Sequence, residues 1–568
     1  MTSPKNLAMA GAAVVAAGAV VALSTKSNPN ASGATPTQQE AARFLTQATF
    51  GPTDADISAV QANGFDGWIT QQMAMTPFST LKWMQQREKT ATPGQFSRGD
   101  YFRESFWIGV IKRSDQLRQR MQFALSQIFV VSTTNSTLDL DGAFGTGYFY
   151  DILANNAFGN FRTLLEQVTL APVMGVFLSY IMNEKENPAS GQHPDENYAR
   201  EIMQLFTIGT VQLNPDGTPV IVSGKQVPTY SHDDIAGLAK CFTGISWFNS
   251  DPDNPGQANG FFSAPGDAYF EPMSYYSAHH STSAKQFLGV TIPASTKADT
   301  AGDVKKALDT LFNHPNVPPF VATKLIKQFV TSNPTAAFVG RVAAVFINNG
   351  SGVRGDLAAV LRAILLDDEA RNTASAQSNP TYGLLREPVM RLSNWARTFS
   401  AQTKNGFYEI GDTSAPTSLS ETVLNAPSVF NFWRPDYVAP HTQMGAQGLT
   451  LPEFQVVSEL TTAAYINLMQ ETITTGIGLN IKNFQNNDVS SLYTNEVAVA
   501  ADANALLDRL NLLLFYGQMS SGLRQTILNA VNAIAIPTDQ TKVPAAKLNR
   551  AKLAVFLSMV SGEYLTQR

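Results

Sequence analysis

The amino-acid sequence predicts a mainly α protein: a large multi-helix globular domain with one small β-hairpin insertion. Three observations predict this class. Apolar residues recur at intervals of three and four along most of the chain, as they do in amphipathic helices. The 568 residues are 44% hydrophobic and 15% charged, which is enough apolar surface to form a large core. Residues 211–229 combine a turn signature with short apolar and polar alternation, which predicts the hairpin.

The helical spacing is interrupted where the sequence gives a physical reason to stop. Gly51-Pro52 ends the first helix, and Ser114-Asp115 divides a long apolar stretch. Ser231 precedes acidic residues, a pattern typical of a helix N-cap. Residues 244–266 are predicted to form a long loop, and residues 427–435 an irregular segment. The predicted helices cover residues 38–49, 53–75, 101–131, 194–209, 235–242, 304–312, 321–330, 336–348, 357–366, 384–399, 451–475 and 498–568.

Residues 1–34 have the composition of an export signal. Lys5 precedes an apolar run rich in Ala, Val and Gly, which is followed by a Ser-, Asn- and Pro-rich stretch. A cleaved signal peptide is the favoured interpretation, and an uncleaved N-terminal anchor or a non-targeting tail are the alternatives. We therefore expect a periplasmic, cell-surface or secreted protein that meets a membrane only through an uncleaved N-terminus. Residues 35–568 are predicted to form a single large helical domain.

Composition and motifs argue against several classes of function. A net charge of -5 with scattered Lys and Arg argues against a nucleic-acid partner. The sequence has no Gly-x-Ser-x-Gly elbow, P-loop or dinucleotide fingerprint, which argues against an ordinary serine hydrolase, NTPase or Rossmann enzyme. The lone cysteine, Cys241, is flanked by apolar residues and is predicted to be buried rather than nucleophilic.

The stretch from His193 to Gly209 is the main candidate for a functional site. Pro194 opens it as a proline at the first helical position would, and acidic residues follow. One interpretation is a well-capped core helix, with Glu196 and Arg200 as an ion pair. The other is a polar site, because many charged and amide groups beside an apolar stripe need partners or a ligand. The acid–base candidates are then Glu201, Asp195, Glu196 and His232, and the ligand-binding candidates are Asn197, Arg200, Lys285 and Arg386.

Histidine and carboxylate side chains suggest a divalent metal, although the cofactor stays unknown. Four of the six histidines fall between residues 193 and 280, together with the acidic helix. Imidazole and carboxylate are the ligands of zinc, manganese and iron, so His279 and Glu201 are candidate metal ligands. There is no HExxH motif or cysteine pair, and surface histidines are the plain alternative.

Arginines beside apolar residues predict either a structural ion network or an anion site. They are Arg120, Arg162, Arg200, Arg362, Arg386 and Arg434. Buried arginine requires carboxylate partners. The candidate partners are Glu166, Glu196, Glu201 and Glu387. Converging guanidinium groups would equally bind an anionic sugar, a sulfate or a phosphate.

Several stretches, in order, resemble a known bacterial family. They are RMQFALSQIFVVS from Arg120, AFGNFRTLLEQVTLAPVMG from Ala157, PDENYAREIMQLFTIG from Pro194, TYSHDDIAGLAKCFTG from Thr229, Lys285–Gly289, His314–Phe320 with Lys324-Leu325, and Arg386-Glu387-Pro388. Together they resemble the bacterial domain of unknown function 1800 family. The resemblance covers about residues 41–437 and leaves residues 438–568 as a helical C-terminal extension.

The resemblance implies an exported bacterial protein of unassigned activity. Members of the family look exported and are often encoded beside a second family that resembles sulfatases and alkaline phosphatases. A neighbouring exported protein of that kind is therefore the implied partner. Many relatives have His where this chain has Ala171, and a His-Asp pair where it has His279-His280. A metal site built on either position would be altered here.

Two functions remain open from the sequence. The favoured one is a helical scaffold or binding partner in the cell envelope, with exposed aromatic residues around Trp247, Phe248, Phe261 and Phe262. The alternative is an envelope or secreted enzyme, hydrolase-like and in one version metal-dependent, that acts on a surface polymer or an anionic substrate. A fully paired ion network would favour the first function. A pocket with a displaced carboxyl pKa would favour the second.

Overall fold

The computed structural model describes residues 35–92, 96–139, 142–254, 260–264, 268–481, 484–485, 487 and 489–568. The predicted export segment at residues 1–34 and parts of the predicted loop at 244–266 lie outside these ranges. Residues Pro36–Arg568 pack as one compact unit. One apolar core runs from Ala41 to Tyr564. Within the described part of the chain, no helix is both long and apolar enough to cross a membrane.

Helices form most of the regular structure, which confirms the predicted mainly α class. The helices of the first half are α1 (Gln38–Ala48), α2 (Asp54–Met73), α3 (Thr80–Thr90), α4 (Arg98–Lys112), α5 (Gln116–Ile128), α6 (Ser136–Asp139), α7 (Ala143–Asn155), α8 (Phe161–Thr169), α9 (Pro172–Phe177), α10 (Asn197–Glu201) and α11 (His232–Ala239). Those of the second half are α12 (Thr300–Asn313), α13 (Val317–Phe329), α14 (Ala336–Ile347), α15 (Leu357–Leu366), α16 (Asp368–Arg371), α17 (Thr373–Ser378), α18 (Pro388–Thr398), α19 (Gln443–Ala446), α20 (Glu459–Thr475), α21 (Thr494–Val499), α22 (Ala503–Phe515), α23 (Ser521–Asn532), α24 (Val543–Met559) and α25 (Gly562–Leu565).

Local capping explains where several predicted helices begin. At α1, Thr37 accepts a hydrogen bond from the Glu40 amide, and the Glu40 carboxylate accepts one from the Thr37 amide. The same reciprocal pattern between Ser231 and Asp234 opens α11. The long apolar stretch at 101–131 is divided into α4 and α5 by residues 113–115, as the sequence predicts.

The prediction that a helix begins at Pro194 is wrong, because α10 begins three residues later. The Asp195 amide donates to the Asn183 side chain at 2.8 Å, and Asp195 Oδ1 accepts from the Asn197 amide at 2.7 Å. These contacts fix a turn ahead of the helix. After α10 the chain continues as a π-helical turn, Ile202–Thr207, and Gly209 leaves it with φ at +69°.

The strands are short antiparallel pairs. The predicted hairpin is present as β1 (Ile221–Val222) and β2 (Lys225–Gln226), extended by single bridges at Val211 with Pro228 and at Leu213 with Pro219. The sequence did not predict the other pairs, which are β3 (Ile245–Ser246) with β4 (Ser274–Tyr275), β5 (Lys285–Phe287) with β6 (Val290–Ile292), β7 (Leu384–Leu385) with β10 (Thr566–Gln567), and β8 (Asn480–Ile481) with β9 (Phe484–Gln485).

The C-terminal residues pack into the same core as the N-terminal helices. Helix α22 contacts α1, and β10 pairs with β7 immediately before Arg386. Gln567 Nε2 donates to the Phe329 carbonyl oxygen at 2.9 Å, which joins β10 to the end of α13. The residues around Arg386 are therefore enclosed by segments from both ends of the described chain.

Candidate functional site

Two of the predicted polar residues stabilise the turn before α10. Asp195 Oδ2 accepts from Ser179 Oγ at 3.0 Å, in addition to the amide contact of its other oxygen. Asn197 Nδ2 donates to the Leu178 carbonyl oxygen at 3.2 Å. Asp195 and Asn197 thus join α10 to the segment that follows α9. These contacts satisfy both side chains without a ligand.

Three further predicted residues lie together at the surface. The Arg200 guanidinium contacts the Glu196 carboxylate at 3.3 Å, which is the ion pair that the sequence predicts. His232 Nδ1 lies 3.8 Å from the same carboxylate, and the His232 side chain is 72% exposed. Exposed pairs of this kind contribute only about 0–1 kcal/mol to stability. The side chains of Glu196, Arg200 and His232 therefore lie next to one another, but they face solvent.

Glu201 is the one predicted acid–base residue that is buried. Its Oε2 has no hydrogen-bond partner among the described residues. Burial raises the pKa of the Glu201 carboxyl, and the nearby Arg200 charge partly offsets this. Glu201 faces the interior, whereas Glu196 and His232 face solvent. The structure therefore divides the predicted acid–base group between two environments.

The adjacent histidines have separate partners. His279 stacks on Phe261 with ring centroids 3.7 Å apart, and its Nδ1 contacts Glu184 at 2.7 Å. His280 is fully buried, and its Nε2 contacts Asp303 at 3.0 Å. Within the described ranges, no group of three or more His, Cys, Asp or Glu side chains is placed to hold a metal ion. The predicted pair of metal ligands belongs to no such group.

The predicted ligand-binding residue Lys285 has a fully used ammonium group. Its Nζ donates to the Ser281 carbonyl oxygen at 2.7 Å and to the Ser283 carbonyl oxygen at 3.4 Å, and it contacts Asp303 Oδ2 at 2.8 Å. The same carboxylate contacts His280. Lys285 therefore anchors the β5–β6 hairpin to α12.

The other predicted ligand-binding residue, Arg386, belongs to a buried group of three guanidinium side chains. Arg120, Arg386 and Arg391 are at most 7% exposed. The Arg386 guanidinium lies 4.3 Å from the Tyr564 ring centroid, and Arg391 Nε donates to the Arg386 carbonyl oxygen at 2.8 Å. Burial lowers the pKa of both Arg120 and Arg391. Of the six arginines in the sequence prediction, only Arg120 and Arg386 are buried.

Two buried glutamates face these arginines. The Glu387 and Glu421 carboxyls are hydrogen-bonded to each other, and both residues are at most 4% exposed. Glu421 Oε2 accepts from the Val389 amide at 2.9 Å, at the N-terminus of α18, and Gln127 Nε2 donates to Glu387 at 3.0 Å. Burial raises the pKa of both carboxyls, although Arg120 opposes this at Glu387. Contact between the two carboxyls disfavours the ionisation of both at once, because their negative charges would repel each other.

A narrow recess opens beside the carboxyl pair. Its walls come from α5, α13, residues 430–435 and the 3-10 turn Pro452–Val456. Its solvent-accessible volume is about 50 Å³, which is room for a few water molecules or one charged group. Lys324, Lys327 and Glu453 line it, together with the Phe430 and Trp433 rings. We call this cleft the lysine recess.

The lysine recess contains an acid and a base with similar pKa values. Burial raises the pKa of Glu453 from 4.5 to about 8. Burial lowers the pKa of Lys324 from 10.5 to about 8, and the neighbouring Lys327 charge adds to that shift. Lys324 is half-buried by surface area, and Glu453 Oε2 has no hydrogen-bond partner in the described chain. Such a pair can exchange protons near neutral pH.

A second displaced carboxyl and a larger recess in the described part of the chain each lack this combination. Burial raises the pKa of Glu104 to about 7, but both of its carboxylate oxygens accept from Arg87 Nε, at 2.9 and 3.0 Å. Glu104 is therefore a paired structural residue. A larger recess of about 440 Å³ lies beside Tyr516 and Arg568, but no buried carboxyl or amine group lines it. The lysine recess is the stronger candidate for a functional site because of its titratable side chains, although it is the smaller of the two recesses.

One comparison identifies the family of this chain. The family model described as a protein of unknown function (DUF1800) matches residues 43–566. The chain belongs to the DUF1800 family. The match runs past residue 437, the predicted limit of the family-like region, and includes the C-terminal helices. Comparisons with curated proteins and with solved structures found no match. The acidic helix and the lysine recess both lie within the DUF1800 region.

Replacing Glu453 with glutamine is expected to remove a pH dependence of stability. Between about pH 4.5 and 8 the unfolded chain has lost the Glu453 proton while the folded chain keeps it, so wild-type stability falls as pH rises through this window. Relative to Glu453→Gln, the wild type should lose on the order of 2–4 kcal/mol of unfolding free energy between pH 5 and pH 8. Denaturant unfolding at both pH values measures this difference. The exposed Glu471→Gln variant is the matched control, and a difference that does not change with pH would contradict the buried, protonated carboxyl.

Proposed function

We propose that this DUF1800 protein is an exported, hydrolase-like enzyme that uses acid–base catalysis in the lysine recess on an anionic group of a surface polymer. The observation that carries this proposal is that Glu453 and Lys324 line one recess and both have a pKa of about 8. Acids and bases with pKa values near the working pH are the most effective in proton transfer.

The residues around the recess fit an anionic substrate group. The Lys327 side chain supplies positive charge at the recess, and its Nζ is held by Thr450 Oγ1 at 3.0 Å. Ammonium groups bind carboxylate, sulfate and phosphate as point charges. The Phe430 ring, which is 38% exposed, provides a flat apolar face of the kind that packs against sugar rings. An acidic sugar unit would use both features.

Proton transfer would be divided between two side chains. The protonated Glu453 carboxyl would donate its proton to the leaving oxygen of the substrate. Lys324, in its neutral form, would accept a proton from the attacking water. Gln127 joins this site to the carboxyl pair, because its Nε2 donates to Glu387 at 3.0 Å and to Glu421 at 3.5 Å.

Export is part of the proposal because of the order of residues in the first 34 positions. A lysine, an apolar run and a small, polar stretch follow one another as they do in secretory signals. An exported enzyme would meet polymers of the cell envelope or of the surroundings. Anionic polysaccharides are abundant candidates of that class.

The proposal is tested by incubating the mature protein with uronic-acid and sulfated oligosaccharides and with neutral oligosaccharides of equal length. We expect new reducing ends from an acidic set only. Glu453→Gln should lower kcat about 10²- to 10⁴-fold, and Lys324→Met should do the same, whereas the exposed Lys225→Met control should leave the rate unchanged. Hydrolysis that survives both recess variants would reject this site.

A scaffold or binding partner is the second candidate, and the exposed rings of Phe248 and Phe262 favour it. The other two aromatic residues of the predicted exposed group, Trp247 and Phe261, are buried. If this candidate is correct, the acidic oligosaccharides would bind to the wild type, or a neighbouring sulfatase- or phosphatase-like protein would do so, without any hydrolysis. Binding that is lost in Lys324→Met without turnover in the wild type would support this candidate.

A further inference from the structure

A small internal cavity lies on the arginine side of the carboxyl pair. It is lined by Arg120, Arg386, Glu387, Asn394 and Thr46, with Gln567 of β10 closing one side. Its solvent-accessible volume is about 10 Å³, the size of one water-sized occupant. We call it the guanidinium cavity. It is distinct from the lysine recess, with which it shares no lining residue.

Three guanidinium nitrogen atoms of the residues that line this cavity lack hydrogen-bond partners. Arg120 Nε, Arg120 Nη1 and Arg386 Nε are buried, and none of them donates to any residue that the structure describes. Arg120 Nη2 donates to the Gln328 carbonyl oxygen, and Arg386 Nη2 to that of Leu514 at 3.4 Å. Leaving a buried donor of a charged group unpaired is costly, so these positions call for an acceptor.

The charges around the cavity do not balance. Arg120, Arg386 and Arg391 contribute three positive charges, and none of them forms a salt bridge with a described carboxylate within 4.0 Å. Glu387 and Glu421 contribute at most two negative charges between them. Three minus two leaves at least one positive charge in a buried region without a counter-charge. Buried charges are normally compensated by a counter-charge.

We infer that the guanidinium cavity binds one small monovalent anion of the size of chloride, held by the unpaired N–H groups of Arg120 and Arg386. A monatomic anion is the smallest counter-charge that could occupy a cavity of this volume, and polyatomic anions such as sulfate or phosphate are larger. Glu387 is the one acid among the lining residues, and burial raises the pKa of its carboxyl, which reduces the repulsion of an anion. A water molecule would satisfy the donors but not the charge.

The test uses bromide as the probe in crystals of the mature protein. A bromide anomalous difference peak is expected inside the guanidinium cavity, within about 3.5 Å of Arg120 and Arg386 nitrogen atoms. In solution, replacing sodium gluconate with sodium chloride at constant ionic strength should raise Tm saturably, by about 2 °C.

The variants separate binding at this cavity from a general salt effect. Arg386→Gln should lose the chloride-dependent rise in Tm, whereas the surface variant Arg98→Gln should keep it. If Arg386→Gln does not fold, Arg386→Lys replaces it as the test variant. The wild-type crystals decide in either case: the absence of a bromide peak in the cavity overturns the inference, whatever the response of Tm.

Discussion

Replacing Glu421 with alanine is expected to lower the free energy of unfolding by about 3–5 kcal/mol. Glu421 is 1% exposed, accepts the Val389 amide at 2.9 Å and is hydrogen-bonded to Glu387. Its removal leaves that amide without a partner at the start of α18, leaves Glu387 without its hydrogen-bond partner Glu421, and opens a cavity in the core. Equilibrium unfolding in guanidinium chloride at pH 7 measures the loss as a lower midpoint.

Glutamine at the same position is the matched comparison. A neutral amide can still accept the Val389 hydrogen bond and can donate one to Glu387, as the protonated Glu421 carboxyl does. Glu421→Gln is therefore expected to cost less than about 1.5 kcal/mol. If it costs as much as Glu421→Ala, then the folded protein requires an ionised carboxylate at this position, which would contradict a protonated Glu421.

The elements that the sequence predicted well are those fixed by neighbouring residues. Thr37 with Glu40 and Ser231 with Asp234 determine helix starts over three residues, so the pattern is complete in the local sequence. The start of α10 was misplaced for the opposite reason. Asp195 is held by Asn183, and that tertiary contact outweighs the preference of Pro194 for the first turn of a helix.

The recess could not be predicted because its parts come from distant positions. Gln127, Lys324 and Glu453 each lie in a stretch whose sequence is that of an ordinary helix or turn. Only folding brings them together around one recess. The one local signal was Arg386-Glu387-Pro388, in which two opposite charges precede a helix-starting proline. Arg386 and Glu387 line the guanidinium cavity and not the lysine recess. Nothing in the sequence around Glu421 distinguishes it from a surface acid.

Replacing Gly237 with alanine is expected to destabilise the protein by about 3 kcal/mol or more, although alanine favours helices. Gly237 lies in α11, where the helix crosses β5. A Cβ atom there would lie 1.8 Å from the Gln286 carbonyl oxygen and 2.7 Å from its carbonyl carbon. These are backbone atoms, so the helix and the hairpin would have to separate. Thermal or denaturant unfolding measures the loss.

Gly562→Ala in α25 is the control, because nothing lies within 4 Å of the added Cβ. It should be neutral or stabilising by about 0.4–1 kcal/mol. A neutral Gly237→Ala would mean that α11 and β5 are further apart than in the structure.

The activity of the folded fraction of Gly237→Ala also distinguishes between the two candidate sites. Helix α11 carries His232 and packs on α10, which carries Glu201, whereas no wall of the lysine recess belongs to either helix. Activity per folded molecule that survives Gly237→Ala and is lost in Glu453→Gln would assign the chemistry to the recess, and the reverse would return it to the acidic helix.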